Sequence, residues 1–159
     1  MYLNKINLFL VISICLIFFL LTYNDVKSYE IKIIDGDTIH LNGEKIRFTG
    51  IDAPELKQTC NKNDEVIQCG ILARNLLIEK VENNKVLCKR EGKDKYKRTL
   101  AECFVDDISL SSYLVRKGYA FAYRRYSKKF LDDEDFARKN KLGMWSMKFE
   151  YPWDFRKKN

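Results

Sequence analysis

Two short acidic motifs and two arginine-bearing segments hold most of the residues able to do chemistry. The motifs are Asp35-Gly36-Asp37-Thr38 and Asp52-Ala53-Pro54-Glu55. Each alone reads as a turn, because Asp-Gly favours turn backbone and Asp before Pro belongs in loops. Both fall at the ends of strands in one meander, so Asp37 and Asp52 can meet at one rim of a barrel. Two carboxylates, a backbone carbonyl and waters make a hard oxygen site suited to Ca2+ rather than zinc. Glu55 lies one short turn away. Arg47 stands on the strand between the motifs, where an arginine is ordinarily solvated. Lys89 to Arg98 (KREGKDKYKR) carries six basic and two acidic residues. It reads either as a solvated hairpin guarding a sheet edge or as a phosphate-binding arm with Tyr96 as a stacking ring.

The rest of the composition narrows the chemistry. Lys and Arg number 29 against 22 Asp and Glu, a net charge of +7 with a single histidine, His40. The charge points to an anionic partner, nucleic acid or acidic lipid. One histidine disfavours Ser-His-Asp triads, paired-His nucleases and two-His zinc sites, and His40 itself reads as a strand residue. Hydrolysis by this chain must run on carboxylates, arginines and a metal.

The elements that must position these residues begin after a leader. Leu8 to Leu21 is an apolar run of 14 residues, short for a membrane span of about 20 and suited to an export signal. Val26-Lys27-Ser28 offers a cut before Tyr29. An uncleaved signal-anchor, holding the protein to a membrane through residues 8–21, is the alternative. Residues 1–28 are thus expected to be a signal or anchor and residues 29–159 one domain, with a short C-terminal extension from about 148. Secretion or an envelope location follows, and nothing demands more than a monomer. Cys60, Cys69, Cys88 and Cys103 remain beyond the leader. An even count behind an export signal favours disulfides over four reduced thiols, and three connectivities are open.

Tyr29 to Ile34, Thr38 to Leu41 and Glu44 to Ile51 are expected as three strands, joined by the Asp35–Asp37 turn and the Asn42-Gly43 hairpin signal. Residues 52–69 read as a loop. Gly70 to Lys80 has Ile71, Leu72, Leu76 and Ile78 at roughly helical spacing. Lys85 to Arg90 and Thr99 to Val105 are two further strands. Ser109 to Lys117 and Leu131 to Lys141 are expected helices, the second with acids at its N-terminus, and Ala120 to Tyr126 is ambiguous. Phe149 to Asn159 lies past the core, with Trp153 and Phe155 packing back onto it and Arg156 to Lys158 solvated. The sum is α+β, mainly β: a five-stranded OB-type Greek-key barrel with three helices.

The order D-G-D-T, then R-x-x-G-I-D-A-P-E, then D-K-Y-x-R-x-L-A, then G-M-W resembles the thermonuclease (staphylococcal-nuclease-like) family over about residues 29–147. The resemblance implies the barrel just described and Ca2+-dependent cleavage of DNA and RNA phosphodiesters, leaving 3′-phosphates. It implies that Asp37 and Asp52 are calcium ligands, joined by the main-chain carbonyl of Ala53, where the family often has Thr. Glu55 matches the residue that orients or deprotonates the attacking water. Arg47 and Arg98 match the two phosphate-binding arginines, and Lys95 and Tyr96 match contacts to the nucleotide phosphate and sugar. Lys97 stands where glycine is common. The same alignment puts Cys88 and Cys103 on successive strands facing each other across a hairpin, and has Cys60 and Cys69 bracket the loop that follows Glu55. The rivals are a noncatalytic OB-type nucleic-acid-binding module and a basic membrane-surface protein; the second leaves the acids unexplained.

Overall fold

The computed structural model describes residues 29–158 and, before them, Ser13 alone; the expected signal or anchor therefore lies outside the described residues. Strands β1 (Ile31–Ile33), β2 (Thr38–Leu41) and β3 (Glu44–Phe48) form an antiparallel meander. Its second turn is the Asn42-Gly43 pair, both residues at positive φ (51° and 81°), the backbone a two-residue hairpin requires. The chain then breaks the expected third strand at Thr49-Gly50, where Gly50 also takes positive φ (73°), and resumes as β4 (Ile51–Asp52). That break swings Asp52 off the main sheet. β4 pairs instead with β10 (Phe121–Ala122), which resolves the ambiguous stretch, and Phe121 stands opposite Asp52.

The expected loop at 52–69 contains a small hairpin, β5 (Cys60–Lys62) and β6 (Glu65–Ile67). Its turn is Asn63-Asp64, again both at positive φ, a signal of the same kind as Asn42-Gly43. Helix α1 (Cys69–Val81) follows. Its buried stripe is Gly70, Ala73, Leu77 and Val81 rather than the bulkier set, and Ile71 and Ile78 face solvent. The first turn presses close: a Cβ on Gly70 would stand 1.9 Å from the carbonyl oxygen of Glu55.

Strands β7 (Leu87–Lys93) and β8 (Thr99–Val105) make the second hairpin, and β8 lies parallel to β3. The sheet runs β1-β2-β3-β8-β7, built from the five expected strands, with the two-residue β9 (Ile108–Ser109) added to β8. Parallel pairing of β3 with β8 requires a crossover, and α1 supplies it. Cys88 pairs directly with Cys103 in the register and the two are bridged; Cys60 is bridged to Cys69 around the β5–β6 hairpin. Helix α2 (Leu110–Arg116) is capped by the Ser109 side chain, and α3 (Leu131–Lys139) has Asp132, Asp133 and Glu134 in its first turn. Ile39, Ile46, Phe48, Ile51, Leu77, Leu110 and Leu114 are fully buried between sheet and helices.

A fourth helix, α4 (Pro152–Lys158), corrects the expected count of three among the described residues. Aromatic rings fasten it to the domain. Trp153 stacks on Tyr151 at 4.5 Å and on Tyr123 at 5.9 Å, and Phe121 meets Trp145, Phe149, Tyr151 and Trp153. Trp153 thus packs back as expected. No helix among the described residues is long and apolar enough to cross a membrane.

Candidate active site

The local folding around β2–β4 brings the two acidic motifs together. Asp37 immediately precedes Thr38, which pairs with Arg47 across the hairpin, so Asp37 and the arginine share one end of the sheet. Arg47 donates from Nη1 to Asp37 Oδ1 (2.5 Å) and from Nη2 to Asp52 Oδ1 (2.7 Å). Arg47, on a strand where an arginine is ordinarily solvated, is therefore half-buried between two buried carboxylates. Asp37 Oδ2 accepts the backbone N–H of Ala53 at 2.9 Å, tying the first motif to the second.

Glu55 sits at the mouth of this cluster, held by its backbone. Buried Gln58 accepts the Glu55 N–H through Oε1 (3.2 Å) and donates through Nε2 to the carbonyl of Glu150 (2.6 Å). Sequence reading missed Gln58, since a lone amide in a polar loop carries no signal. It also missed Arg156, expected in solvent. Arg156 donates from Nη2 to Asp52 Oδ2 (2.6 Å), and from Nη1 to Asp52 Oδ1 (3.1 Å) and Glu55 Oε1 (2.7 Å). The aromatic residues between 149 and 155 were its only advance sign: packing them against the domain carries Arg156 inward. Asp37, Asp52 and Glu55 are thus linked in series by two guanidiniums.

The basic arm reaches the same cleft, about 1210 Å³ in volume, which Asp37, Arg47, Glu55, Lys95, Tyr96, Arg98 and Arg156 all line. Asp94 organises the arm. Its carboxylate accepts the N–H groups of Tyr96 and Arg98 and, at 2.6 Å, Arg98 Nε. That contact leaves the two terminal nitrogens of Arg98 for an anion. Tyr96 is exposed, with Lys95 and Arg98 over its ring. Lys97 occupies the left-handed region (φ 63°), the conformation for which glycine is the easier residue. Tyr123, Arg125, Tyr126 and Lys129 line the same cleft; the first three belong to the stretch that is ambiguous from sequence, and Lys129 follows it.

Burial lifts the Asp37 carboxyl to about 7, against the pull of Arg47 and the Ala53 N–H; the neighbouring Asp35 and Asp52 charges add to the rise. Arg47 and Arg156 are disfavoured by burial yet held above their ordinary range by the acids they contact. The cluster is short of positive charge, which suits an added cation. The donors at hand are carboxylate and carbonyl oxygens, hard ligands that fit Ca2+. No group of three His, Cys, Asp or Glu side chains converges as a metal site among the described residues, so a cation here would need main-chain oxygen and water beside its two carboxylates.

Residues 45–147 match the family model described as staphylococcal nuclease homologue. A thermonuclease of Staphylococcus intermedius is 33% identical over 131 residues, covering 75% of this chain and 76% of its own length. An uncharacterized endonuclease of Haemophilus influenzae is 30% identical over 123 residues, 73% of this chain, and the match spans just under two thirds (64%) of that relative. A micrococcal nuclease of Shigella flexneri is 28% identical over 151 residues, covering 84% of this chain and 82% of its own.

Proposed function

The chain belongs to the staphylococcal nuclease homologue family, and on that premise we propose that it is an exported, monomeric, calcium-dependent nuclease hydrolysing phosphodiester bonds of DNA, RNA or both. The observation that carries this reading is the series Asp37–Arg47–Asp52–Arg156–Glu55, two buried acids and one half-buried acid opening on a basic cleft. Asp37, Asp52 and the Ala53 carbonyl would hold Ca2+. When bound, the ion neutralises phosphate charge and polarises the phosphoryl oxygen.

The residues divide the remaining work. Lys95 and Tyr96 receive the phosphate and sugar of the nucleotide, and Lys129, Arg125 and Tyr126 extend the basic and aromatic wall for neighbouring nucleotides. Arg98 sets its two terminal nitrogens against two phosphate oxygens, a fit that lysine lacks. Arg47 lines the same cleft and, held between Asp37 and Asp52, brings its positive charge beside the phosphate. As phosphorus becomes five-coordinate, charge grows on its equatorial oxygens and these contacts strengthen, so they lower the barrier rather than only binding substrate. Glu55 takes the proton of the attacking water at its carboxylate. Gln58 fixes the Glu55 backbone while its side chain stays in reach of solvent.

The two disulfides support the export reading, since such bonds persist in oxidising compartments. Digestion of plasmid DNA with Ca2+ and with a chelator tests the activity. Cutting only with Ca2+ is expected; binding without cutting in either condition would make the protein a noncatalytic OB-type module. The mass of the exported protein tests the leader: loss of residues 1–28 means cleavage, and an intact chain means an anchor.

A further inference from the structure

Asp52 is fully buried, and both of its oxygens are covered by guanidinium groups, Oδ1 by Arg47 and Arg156, Oδ2 by Arg156. A calcium ligand must present an oxygen to the ion at about 2.3–2.6 Å. One guanidinium therefore has to leave before Asp52 can serve. The two differ in what holds them. Arg47 rises from β3, flanked by Thr38 on β2 and Leu100 on β8, is 17% exposed, and also bonds Asp37. Arg156 comes from a seven-residue terminal helix held by ring stacking rather than by the sheet, and its side chain is 38% exposed. Arg156 is the one free to go.

Charge favours the exchange. Three carboxylates share two guanidiniums in the series, so one negative charge is left over, and Asp35 adds to it. Replacing one monovalent guanidinium by a divalent ion balances the three acids. In exchange, the ion recovers a ligand whose burial would be costly without any counter-charge.

We propose that Arg156 is a built-in counter-ion: it holds Asp52 and Glu55 in the cation-free protein and is displaced from Asp52 by the divalent ion. Arg156 thereby sets how much calcium is needed to arm the site, and it keeps the buried acids neutralised before calcium arrives. The inference rests on the assignment of Asp37 and Asp52 as cation ligands. It also explains why a lone terminal helix is fastened to the domain through six aromatic rings: the exchange needs an arm that stays tethered while its tip moves.

Calorimetric titration of Ca2+ into the full chain, without nucleic acid and at fixed ionic strength, tests it. Arg156→Ala should bind Ca2+ at least tenfold more tightly than wild type, and Arg156→Lys, which keeps charge but loses the two-pronged grip, should fall between them. In thermal melts, Arg156→Ala should lose stability in chelator and match wild type in saturating Ca2+. Equal or weaker calcium affinity in folded Arg156→Ala, or in Arg156→Lys should the alanine variant not fold, would overturn the exchange while leaving the calcium site standing. Absence of calcium binding by wild type and variants alike would overturn both.

Discussion

Glu55 differs from its acidic neighbours in exposure: 39% of its side chain reaches solvent, against 3% for Asp37 and none for Asp52. That contrast suits the proposed roles, since a base must meet water and a cation ligand gains from a dry setting. Glu55→Gln should lower the cleavage rate by two or more orders of magnitude with nearly unchanged DNA affinity, as single-turnover digestion and a binding titration would show; a variant cutting at the wild-type rate would remove Glu55 from the mechanism. Arg98→Lys is expected to cost about 3 kcal/mol of transition-state stabilisation, by analogy with loss of one oxyanion donor, and to lower kcat more than it raises KM. At this scale the sequence was most informative, because the motifs holding Asp37, Arg47, Asp52, Glu55 and Arg98, weak singly, together carry the family resemblance. Arg156 and Gln58 do not: Arg156 reaches Asp52 across 104 residues, and Gln58 joins Glu55 to Glu150, 92 residues away.

Elements hold those residues through close contacts that leave little room. Helix α1 begins hard against the Glu55 backbone at Gly70. Gly70→Ala should therefore push the Glu55 segment outward, costing about 1–3 kcal/mol of stability and at least tenfold in kcat, measured by denaturation and steady-state kinetics. The arm between β7 and β8 hangs on Asp94. Burial would raise its carboxyl, but the hydrogen bonds from Arg98 and Tyr96 outweigh burial and hold it below the ordinary value of 3.8. A depressed carboxyl stabilises the fold above its unfolded pKa and loses that contribution as pH falls through the folded value. The arm should thus stay ordered at neutral pH and loosen only below pH 3.8. Asp94→Ala should loosen it at pH 7, raising KM for DNA several-fold while leaving the melting temperature within a few degrees. Strand and helix types were mostly legible from alternation, turn residues and caps. The buried face of α1 was not, because it sets Gly70 and Ala73 beside Leu77 and Val81 and leaves Ile71 and Ile78 outside, so hydrophobicity alone does not pick it out.

Across the described residues, one bridge closes the hairpin beside Glu55, a second staples two paired strands, and an aromatic cluster fastens the C-terminal helix. The Cys60–Cys69 bridge closes the hairpin after Glu55, and Cys88–Cys103 closes the base of the arm. Replacing Cys88 and Cys103 together by Ser should cost about 3 kcal/mol, read from chemical denaturation, by the chain-entropy argument for a loop of this size. Removing residues 148–159 strips Phe149, Tyr151, Trp153 and Arg156 at once. It exposes Phe121 and Trp145 and leaves Asp52 with Arg47 alone, so the truncated chain should melt well below the full one in chelator.

By itself the sequence determined the class of fold and its five main strands, and it singled out the acids and arginines of the candidate site and four cysteines fit for bridges. Each is written in local pattern: alternation, turn residues, motif spacing, or a family likeness that spans the chain. Only the tertiary structure decided that the strand after Phe48 breaks to bury Asp52, that Gln58 splints Glu55, and that a C-terminal helix returns an arginine to acids a hundred residues earlier. Those contacts depend on long-range packing and on the charge balance of a buried cluster, and neither leaves a periodicity in the chain for a reader to find.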